Sequence, residues 1–429
     1  MQNTASNPNR KTWLPVAQDS DFPIQNIPFG VFIPGDDIIT IGSRIGDTAI
    51  DLSVLYQLGY FEGIDDLPND VFLQDTLNDF IALGRPVWRA VRNRIADLFD
   101  ANNTALKDNA DHCEQALFPV DEVQMLMPVF VQDYTDFYSS IEHATNVGKM
   151  FRDPDNALLP NWKHIPVGYH GRSSSIVISG ENLHRPHGQR MAPGADAPTF
   201  GPSIRMDFEL EMAFICGEGK HLGDPISTGE AEDYIFGMVV FNDWSARDIQ
   251  KWEYVPLGPF LGKNFGSSIS PWVVTMDALE PYKVAGPVQE PKVLPYLEYE
   301  GNSNYDINLT VELAPEGKAP TVISRSNYKY MYWNMRQQLA HHTINGCNVN
   351  AGDMMASGTI SGHTKDSYGS MLELSWAGKE PLTLDTGETR TFIEDGDTIT
   401  MKGYCDNGTV RIGFGEVSST LLPAKDLKF

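Results

Sequence analysis

The sequence predicts a mainly β protein of the α+β class, with a small N-terminal domain and a larger C-terminal domain. Its 429 residues exceed what one hydrophobic core usually serves, so two domains are expected. From residue 22 to 60, short apolar stretches alternate with Gly, Pro and Asp turns, a pattern typical of a small β-rich module. From residue 176 onward the same alternation of apolar segments and turns indicates a second β-rich region.

Two helices are predicted in the N-terminal part of the chain, over residues 73–83 and 86–99. Pro86 suits the first position of the second helix, and apolar residues recur after it at helical spacing. The polar stretch 101–118 predicts a connection, which places a domain boundary near residue 120. The predicted domains are residues 1–120 and 121–429.

Three further elements are predicted in the C-terminal part. The pattern of residues 326–342 predicts a helix, capped by Ser326 or Asn327. Residues 371–376 predict a buried strand. The dipeptide Asn407-Gly408 lies between two apolar runs and predicts a hairpin with a type I′ turn.

The composition excludes several classes of partner. The formal net charge is −25, from 57 acidic and 32 basic residues, which argues against nucleic acid or an anionic membrane as a partner. The four cysteines are far apart and form no CxxC pair, as expected in a reducing compartment. The first residues lack an apolar signal core, and no apolar run approaches membrane-spanning length, so a cytoplasmic protein is expected.

The segment MDFELEMAF has two acidic residues in an otherwise apolar alternation. Glu209 and Glu211 have the same parity, so a strand would direct both carboxylates to one face. The apolar run 235–241 predicts a second strand, which leads to Asp243. Three converging carboxylates would suit a hard cation such as Ca²⁺ or Mg²⁺. The alternatives are a solvated strand face for the two glutamates and a helix N-cap for Asp243.

Cationic and amide side chains follow these carboxylates directly. Arg247, Gln250 and Tyr254 share one face of a predicted short helix, and Lys263 follows in a glycine-bounded loop. Cationic donors beside metal ligands are what a metal-assisted reaction with oxyanion stabilisation requires. The alternative for Arg247 is a simple pair with Asp243, four residues earlier.

A candidate general base lies in the segment 131–152, which is dense in polar residues. Histidine is the residue type most often used as a general base, which makes His143 a candidate, and such a base needs a carboxylate behind it. Glu373 is a candidate for that carboxylate, because a buried acid requires a partner. The alternative is a hydrogen-bonded structural histidine. Tyr169 and Thr359 lie in glycine-containing loops that could approach a ligand.

Several well-defined motifs do not occur in the sequence. It has no GxSxG, HExxH, P-loop or EF-hand pattern, and Gly217-Glu218-Gly219 is not followed by the third glycine of a dinucleotide site. These observations argue against serine-hydrolase, zincin, kinase and nicotinamide-dependent chemistry.

Long strings of the sequence resemble the fumarylacetoacetase (fumarylacetoacetate hydrolase) family over nearly the whole chain. They are FPIQNIPFGVF, DYTDFYSS, HATNVG, ELEMAF, NDWSARDIQ, WEYVPLGPFLGK, SGTISG and GSMLELSW. The resemblance implies an SH3-like β-barrel N-terminal domain and a larger C-terminal domain of mixed β-roll type. It also implies a homodimer with one divalent ion in each site.

The resemblance also implies residue roles. The implied metal ligands are Asp136, Glu209, Glu211 and Asp243. The implied catalytic residues are His143 as base, Glu373 as its orienting carboxylate, and Arg247, Gln250 and Lys263 as oxyanion stabilisers. The implied substrate contacts are Tyr138, Arg152, Tyr169, Gln250, Tyr254 and Thr359. A second cation near Lys263 and Ser267 is a further implication. Asp136 enters through the resemblance alone, since spacing does not separate it from Asp133.

The implied activity is metal-dependent hydrolysis of the carbon–carbon bond of 4-fumarylacetoacetate, giving fumarate and acetoacetate. This is the last step of phenylalanine and tyrosine breakdown. The implied substrate is a dicarboxylate β-diketone, whose two carbonyl oxygens can chelate Ca²⁺ or Mg²⁺. The alternatives are hydrolysis or decarboxylation of a related acylpyruvate-type acid, and a non-catalytic acidic cation-binding protein.

Overall fold

Strands far outnumber helices in the computed structural model, which describes residues 2–35 and 38–428. The strands are β1 (Phe29–Ile33), β2 (Thr40–Ile45), β3 (Thr48–Asp51), β4 (Leu117–Pro119), β5 (Gln124–Leu126), β6 (Tyr134–Phe137), β7 (Gly168–His170), β8 (Ile176–Ile178), β9 (Leu183–His184), β10 (His187–Arg190), β11 (Thr199–Pro202), β12 (Met206–Asp207), β13 (Leu210–Cys216), β14 (Ile235–Asp243), β15 (Ser245–Ala246), β16 (Ser267–Ile269), β17 (Val274–Thr275), β18 (Lys283–Val284), β19 (Asn304–Tyr305), β20 (Asn308–Ala314), β21 (Thr321–Asn327), β22 (Met354–Ala356), β23 (Leu382–Thr383), β24 (Thr389–Arg390), β25 (Thr398–Asp406) and β26 (Arg411–Leu422). The α-helices are α1 (Leu52–Gln57), α2 (Asn78–Ala82), α3 (Arg85–Leu98), α4 (Ala110–Ala116), α5 (Ile141–Phe151), α6 (Arg247–Glu253), α7 (Met276–Leu279), α8 (Met335–Thr343) and α9 (Met371–Leu374). The predicted mainly β class is confirmed.

Three large sheets organise these strands. The N-terminal sheet is antiparallel with the order β4-β3-β2-β1-β5, consistent with the predicted small barrel-like domain. The central sheet has the order β7-β6-β22-β13-β14-β16-β8, with β17 also paired to β14. The third sheet has the order β21-β20-β25-β26-β9. Among the described residues, no helix is both long and apolar enough to cross a membrane.

The central sheet is buried on both faces, and β13 shows this most clearly. All seven of its residues are buried. Met212 and Phe214 pack in a C-terminal core together with the third sheet. Ala213 and Ile215, with the opposite parity, pack in a core that also contains β1 and α3; we call it the shared core. The N-terminal elements therefore pack against one face of the central sheet.

The N-terminal helix predictions are partly confirmed. The helix predicted over residues 86–99 is α3, which begins one residue earlier, so Pro86 is its second residue instead of its first. The helix predicted over residues 73–83 is shortened to α2, preceded by a 3-10 turn over Val71–Leu73. The stretch predicted as a connection over residues 101–118 contains α4, which begins where the Asn109 side chain accepts the backbone N–H of His112.

The division near residue 120 stays a prediction. β5 pairs with β1, so the N-terminal sheet extends to Leu126. The shared core contains residues from both sides of this division, which means that the two parts of the chain bury apolar surface against each other.

Two C-terminal predictions are wrong in detail. The helix predicted over residues 326–342 is only α8, because Thr321–Asn327 pairs with β20 as a strand. Asn334, instead of Ser326 or Asn327, caps this helix in a reciprocal capping box with Gln337. The predicted hairpin joins β25 and β26. Its turn is not type I′, because the connection has four residues and Asn407 has no positive φ.

The helix α8 packs against the central sheet through a histidine with a strongly perturbed pKa. The Nε2 atom of His342 is 2.9 Å from the Oγ1 atom of Thr135 on β6. Burial, followed by the charge of His170, lowers the pKa of His342 to about 4 from its usual 6.5. As the pH falls, the unfolded chain therefore binds a proton at His342 before the folded chain does.

We expect His342 to make the protein less stable in mild acid. The free energy of unfolding should fall between about pH 6.5 and about pH 4, where only the unfolded chain is protonated at this position. His342→Gln cannot titrate, so it should lose about 1–2 kcal/mol less stability than the wild type between about pH 7 and about pH 5. Urea unfolding at both pH values measures this, with the exposed His184→Gln as control. Parallel pH dependence of wild type and His342→Gln would contradict the assignment.

Candidate active site

Four acidic side chains meet at one end of the central sheet. Glu209 and Glu211 flank the first residue of β13, Asp243 ends β14, and Asp136 lies on β6. The Asp243 N–H donates to the Glu209 carbonyl at 3.2 Å, which continues the pairing of β13 with β14. Both glutamates share the parity of Ala213, so they lie on the face turned towards the shared core.

These four carboxylates are buried and crowded. One oxygen from each lies within 4.8 Å of the others. The Asp136 Oδ1 and Glu211 Oε1 atoms are buried, and neither has a hydrogen-bond partner in the part of the chain that the structure describes. Burial, reinforced by the charge of Asp243, raises the pKa of Asp136, and burial reinforced by Asp136 raises that of Glu211. Carboxylate oxygens that lack hydrogen-bond partners are suitable ligands for a hard divalent cation, whose charge would offset the repulsion between them.

Lys263 supplies one positive charge to this cluster. Its Nζ atom donates to Glu209 Oε2 at 2.6 Å and to Asp243 Oδ2 at 2.5 Å. Burial alone would lower the pKa of Lys263, but the charges of Asp243 and Glu209 raise it above its usual value. Burial alone would raise the pKa of Glu209, but Lys263 and then Arg247 lower it. Lys263 and Glu209 are therefore both charged at neutral pH.

Arg247 supplies the second positive charge, from the first residue of α6. Its Nε atom donates to Asp207 Oδ2 at 2.7 Å, and its Nη1 atom lies 2.7 Å from Glu209 Oε1. Nη1 also lies 3.3 Å from Gln250 Oε1, one turn along the helix. The alternative that Arg247 pairs with Asp243 is wrong, because these other carboxylates take its donors. The Nη2 atom is buried without a partner.

His143 and Glu373 form a buried hydrogen-bonded pair. The His143 Nδ1 atom lies 2.7 Å from Glu373 Oε2. Burial would raise the pKa of Glu373, but His143 and the other donors around it lower it, so the group is a carboxylate. A carboxylate only accepts, so the Nδ1 atom of a neutral imidazole carries the proton and Nε2 has the free lone pair. Ser140 caps α5 by accepting the His143 N–H.

Glu373 lies in the helical turn α9, so the predicted buried strand over residues 371–376 is wrong. Every residue of this short turn is buried, so its sequence has no exposed polar face. Without such a face, the apolar pattern cannot distinguish a strand from a helix. Ser370 caps the turn and also donates to Glu373 Oε2 at 2.9 Å. The Asn146 amide donates to Oε1 at 2.9 Å, and Ser361 Oγ lies within 2.9 Å of both oxygens.

Three of the predicted substrate contacts surround these groups. The ring of Tyr138 packs edge-on against His143, with centroids 5.2 Å apart. Tyr169 on β7 lies directly opposite Asp136 on β6. Thr359 is buried, and its Oγ1 atom has no hydrogen-bond partner.

Two more predicted contacts, Arg152 and Tyr254, are exposed at the ends of α5 and α6, and the sixth, Gln250, lies beside Arg247. The guanidinium of Arg152 donates twice to the Ala157 carbonyl, at 3.0 and 2.7 Å. Tyr254 follows the last residue of α6 and is 50% exposed. The two helix ends are adjacent, since Lys251 Nζ lies 5.9 Å from the centre of the Phe151 ring.

A cavity of about 320 Å³ reaches the acidic cluster. Its lining includes Tyr169, Asp243, Phe260, Lys263 and Ser267. The Ser267 hydroxyl donates to Asp243 Oδ1 at 2.9 Å. Lys263 and Ser267 therefore both contact one carboxylate, and a second cation beside them stays a prediction.

Sequence reasoning missed three residues that hold these groups in place. Asp207 has the same parity as Glu209, so the alternation that selected Glu209 could also have selected it. Asn146 follows His143 by three residues and shares its helix face, which is a usable signal. Ser361 is distant from His143 in the sequence, and only the fold brings it to Glu373.

The chain matches two family models that together span most of its length. The model described as "Fumarylacetoacetase N-terminal" covers residues 25–128. The model described as "Fumarylacetoacetate (FAA) hydrolase C-terminal" covers residues 133–421.

Full-length relatives and solved structures agree with this match. The chain is 54% identical over 421 residues to a fumarylacetoacetase of Dictyostelium discoideum, covering 96% of this chain and 98% of that protein. It is 51% identical over 416 residues to a fumarylacetoacetase of Homo sapiens, covering 96% and 99%. A solved fumarylacetoacetate hydrolase from Exiguobacterium antarcticum shares the fold, with a TM-score of 0.51 at 17% identity over 93% of this chain and 100% of that one. The chain belongs to the fumarylacetoacetate hydrolase family.

Proposed function

We propose that this chain hydrolyses the carbon–carbon bond of fumarylacetoacetate, giving fumarate and acetoacetate, in the last step of phenylalanine and tyrosine breakdown. The main support is one site that combines a carboxylate-backed histidine, two buried cations and four clustered carboxylates. Several of its buried polar atoms have no hydrogen-bond partner among the described residues: Asp136 Oδ1, Glu211 Oε1, Arg247 Nη2 and Thr359 Oγ1. The carbonyl and carboxylate oxygens of a β-diketone acid can accept hydrogen bonds from Arg247 Nη2 and Thr359 Oγ1, whereas the Asp136 and Glu211 oxygens suit a cation.

The proposed cation ligands are the four clustered carboxylates, and the proposed ion is Ca²⁺ or Mg²⁺. A bound divalent cation would act as a Lewis acid that polarises a carbonyl oxygen of the diketone. All-oxygen ligands favour these hard cations over softer metals.

His143 is the proposed general base. Because its Nδ1–H donates to Glu373, its Nε2 lone pair can take a proton from water. The hydroxide equivalent formed in this way attacks the fumaryl carbonyl carbon, and the carbonyl electron pair moves onto oxygen. Glu373 stabilises the imidazolium that results, because it remains a carboxylate.

Arg247, Lys263 and Gln250 are the proposed stabilisers of the resulting oxyanion. Arg247 keeps its Nη2 donor free of protein partners, and Lys263 has a third N–H beyond the two that bind carboxylates. Removing one such donor in a preorganised site typically costs about 3–4 kcal/mol of transition-state stabilisation.

Collapse of the tetrahedral intermediate then breaks the carbon–carbon bond. The electron pair of that bond leaves with the acetoacetate fragment as an enolate, and the imidazolium of His143 returns its proton to the carbanion carbon. Tyr138, Tyr169 and Thr359 are the proposed contacts around the reacting centre. Arg152 and Tyr254, at the exposed helix ends, are proposed to bind terminal carboxylate groups of the substrate.

We expect His143→Ala to abolish turnover of a protein that otherwise consumes fumarylacetoacetate. Loss of the general base should reduce kcat by about 10²–10⁴-fold, while cation binding persists because His143 is not among the clustered carboxylates. The measurement is the loss of substrate ultraviolet absorbance, together with the amounts of fumarate and acetoacetate formed.

The exposed His184→Gln is the control and should retain wild-type turnover. Near-normal turnover by His143→Ala would contradict the assignment of the base. A wild type that turns over acylpyruvates but not fumarylacetoacetate would favour a related diketo-acid hydrolase. Cation binding without turnover of either substrate would favour a cation-binding protein.

We expect Ca²⁺ or Mg²⁺ to raise the Tm of chelator-treated protein. A cation that binds only the folded chain stabilises it by about 2.7 kcal/mol at a hundredfold excess over Kd. Glu211→Gln removes an anionic ligand, so it should need at least a tenfold higher cation concentration for the same rise in Tm. The exposed Glu181→Gln should need the same concentration as the wild type. Thermal unfolding during titration with each cation separates the two ions, and a Tm that no divalent cation changes would contradict the site.

A homodimer acting in the cytoplasm completes the proposal. Four free cysteines among the described residues support a reducing compartment. Beyond α6, Val255, Leu257 and Phe260 expose 67%, 95% and 64% of their surface, which is unusual for apolar side chains so close together.

We expect a solution mass of twice the 47.7 kDa of one chain, and Leu257→Asp should shift the equilibrium towards the monomer. Light scattering after size-exclusion chromatography measures both. Leu222→Asp, at another exposed leucine, is the control. A wild-type monomer at micromolar concentration would contradict the homodimer.

A further inference from the structure

Asp207 is fully buried, and donors from two separate parts of the site converge on its carboxylate. Its Oδ2 atom accepts from Arg247 Nε at 2.7 Å and from the Leu372 N–H at 3.0 Å. Its Oδ1 atom accepts from the Met371 N–H at 2.7 Å. Asp207 lies on β12, where it pairs with Ser245 on β15, so its backbone is fixed as well.

One set of donors belongs to the turn that presents Glu373. Met371 and Leu372 are the first two residues of α9, and Glu373 is the third. The first N–H groups of a helix have no partner within the helix, so an external acceptor determines how such a short turn is held. Asp207 accepts the first two of these groups and Ser370 accepts the third. The position of Glu373, and with it the orientation of His143, therefore depends on Asp207.

The other donor is the side chain of Arg247. Asp207 holds the Nε edge of its planar guanidinium, and Glu209 holds Nη1. These two contacts fix the plane of the group and leave Nη2 without a partner. The direction of that remaining donor therefore also depends on Asp207.

We propose that Asp207 is a positioning residue that fixes Arg247 and the Glu373–His143 pair relative to each other. One carboxylate can accept from both sides at once, so a displacement on either side is transmitted to the other. This inference rests on the proposed function, because it assigns Asp207 to the oxyanion donor and to the base of the same reaction. Asp207 itself is fully buried and reaches substrate only through these neighbours.

Asp397 provides a matched comparison elsewhere in the chain. It is also fully buried, and it accepts from Arg390 Nε at 2.8 Å, from Arg390 Nη2 at 2.9 Å and from the Glu394 N–H at 2.9 Å. Its side-chain partners do not belong to the proposed catalytic or binding groups. A change to asparagine at this position therefore reports the general effect of weakening a buried Asp–Arg pair.

The first experiment compares Asp207→Asn with Asp397→Asn in the full-length protein. Asparagine has one acceptor oxygen and no charge, so it must lose either the Met371 N–H or the two donors that now share Oδ2, and it weakens the pair with Arg247. Asp207→Asn should lower kcat by about 10–100-fold with KM within about threefold, as for other residues that orient catalytic groups. Asp397→Asn should leave kcat within about twofold of the wild type. Equal kcat effects in the two variants would overturn the inference.

Double variants test whether Asp207 acts through both partners. In Glu373→Gln and in Arg247→Lys backgrounds, Asp207→Asn should lower kcat by less than it does in the wild type, because part of its effect is already lost. A purely structural role predicts multiplicative losses. Full multiplicative loss in either background would overturn the claim that Asp207 serves both groups.

A readout independent of turnover separates this inference from the proposed function. The His143 Nδ1–H, held by Glu373, should give a downfield proton resonance in protein with ¹⁵N-labelled histidine, which His143→Ala would identify by its loss. Asp207→Asn should shift or broaden this resonance, whereas Asp397→Asn should not. An unchanged resonance would overturn the inference, and an inactive wild type would overturn only the proposed function.

If Asp207→Asn does not fold, Asp207→Glu, which retains the charge beside Arg247, replaces it in each comparison.

Discussion

The burial of negative charge at one end of the central sheet is the constraint on which the rest of the site depends. Four carboxylates lie within 4.8 Å of one another on strands that are buried on both faces. Uncompensated carboxylates in such surroundings are costly, so positive charge has to be close by. Lys263 and Arg247 supply part of it from the segment that follows β14. The acidic residues of the strands and the basic residues that follow β14 therefore partly neutralise each other's charge.

The N-terminal part of the chain contributes to the site by covering the sheet. The carboxylates lie on the face that packs in the shared core, together with residues of β1, α2 and α3. Removing water from this face strengthens every electrostatic interaction on it, including those with a bound cation or with a developing oxyanion. The N-terminal part of the chain therefore supplies apolar packing to the face that holds the proposed site, although the proposed catalytic residues all belong to the C-terminal part.

The sequence predicted those parts of the site that local periodicity determines. Glu209 and Glu211 were found because strand parity places them on one face, and Asp243 because it ends an apolar strand. Periodicity could not distinguish Asp136 from Asp133, since β6 has only four residues. The predicted length of α8 was wrong because residues 321–327 pair with β20 as a strand. The strand predicted around Glu373 was wrong because this segment forms a helical turn whose first N–H groups donate to Asp207, which local periodicity does not reveal.

The hydrogen-bond donors around Glu373 and Glu211 match the different roles proposed for these two buried carboxylates. Glu373 receives hydrogen bonds from His143, Asn146, Ser361 and Ser370, and its pKa is lowered although it is fully buried. Glu211 accepts the Gly358 N–H on one oxygen only, and its pKa is raised. The donors around Glu373 keep it a carboxylate that can orient a base, whereas Glu211 would need a cation to stay charged. Local hydrogen bonding, more than residue type, therefore distinguishes the proposed orienting acid Glu373 from the proposed cation ligand Glu211.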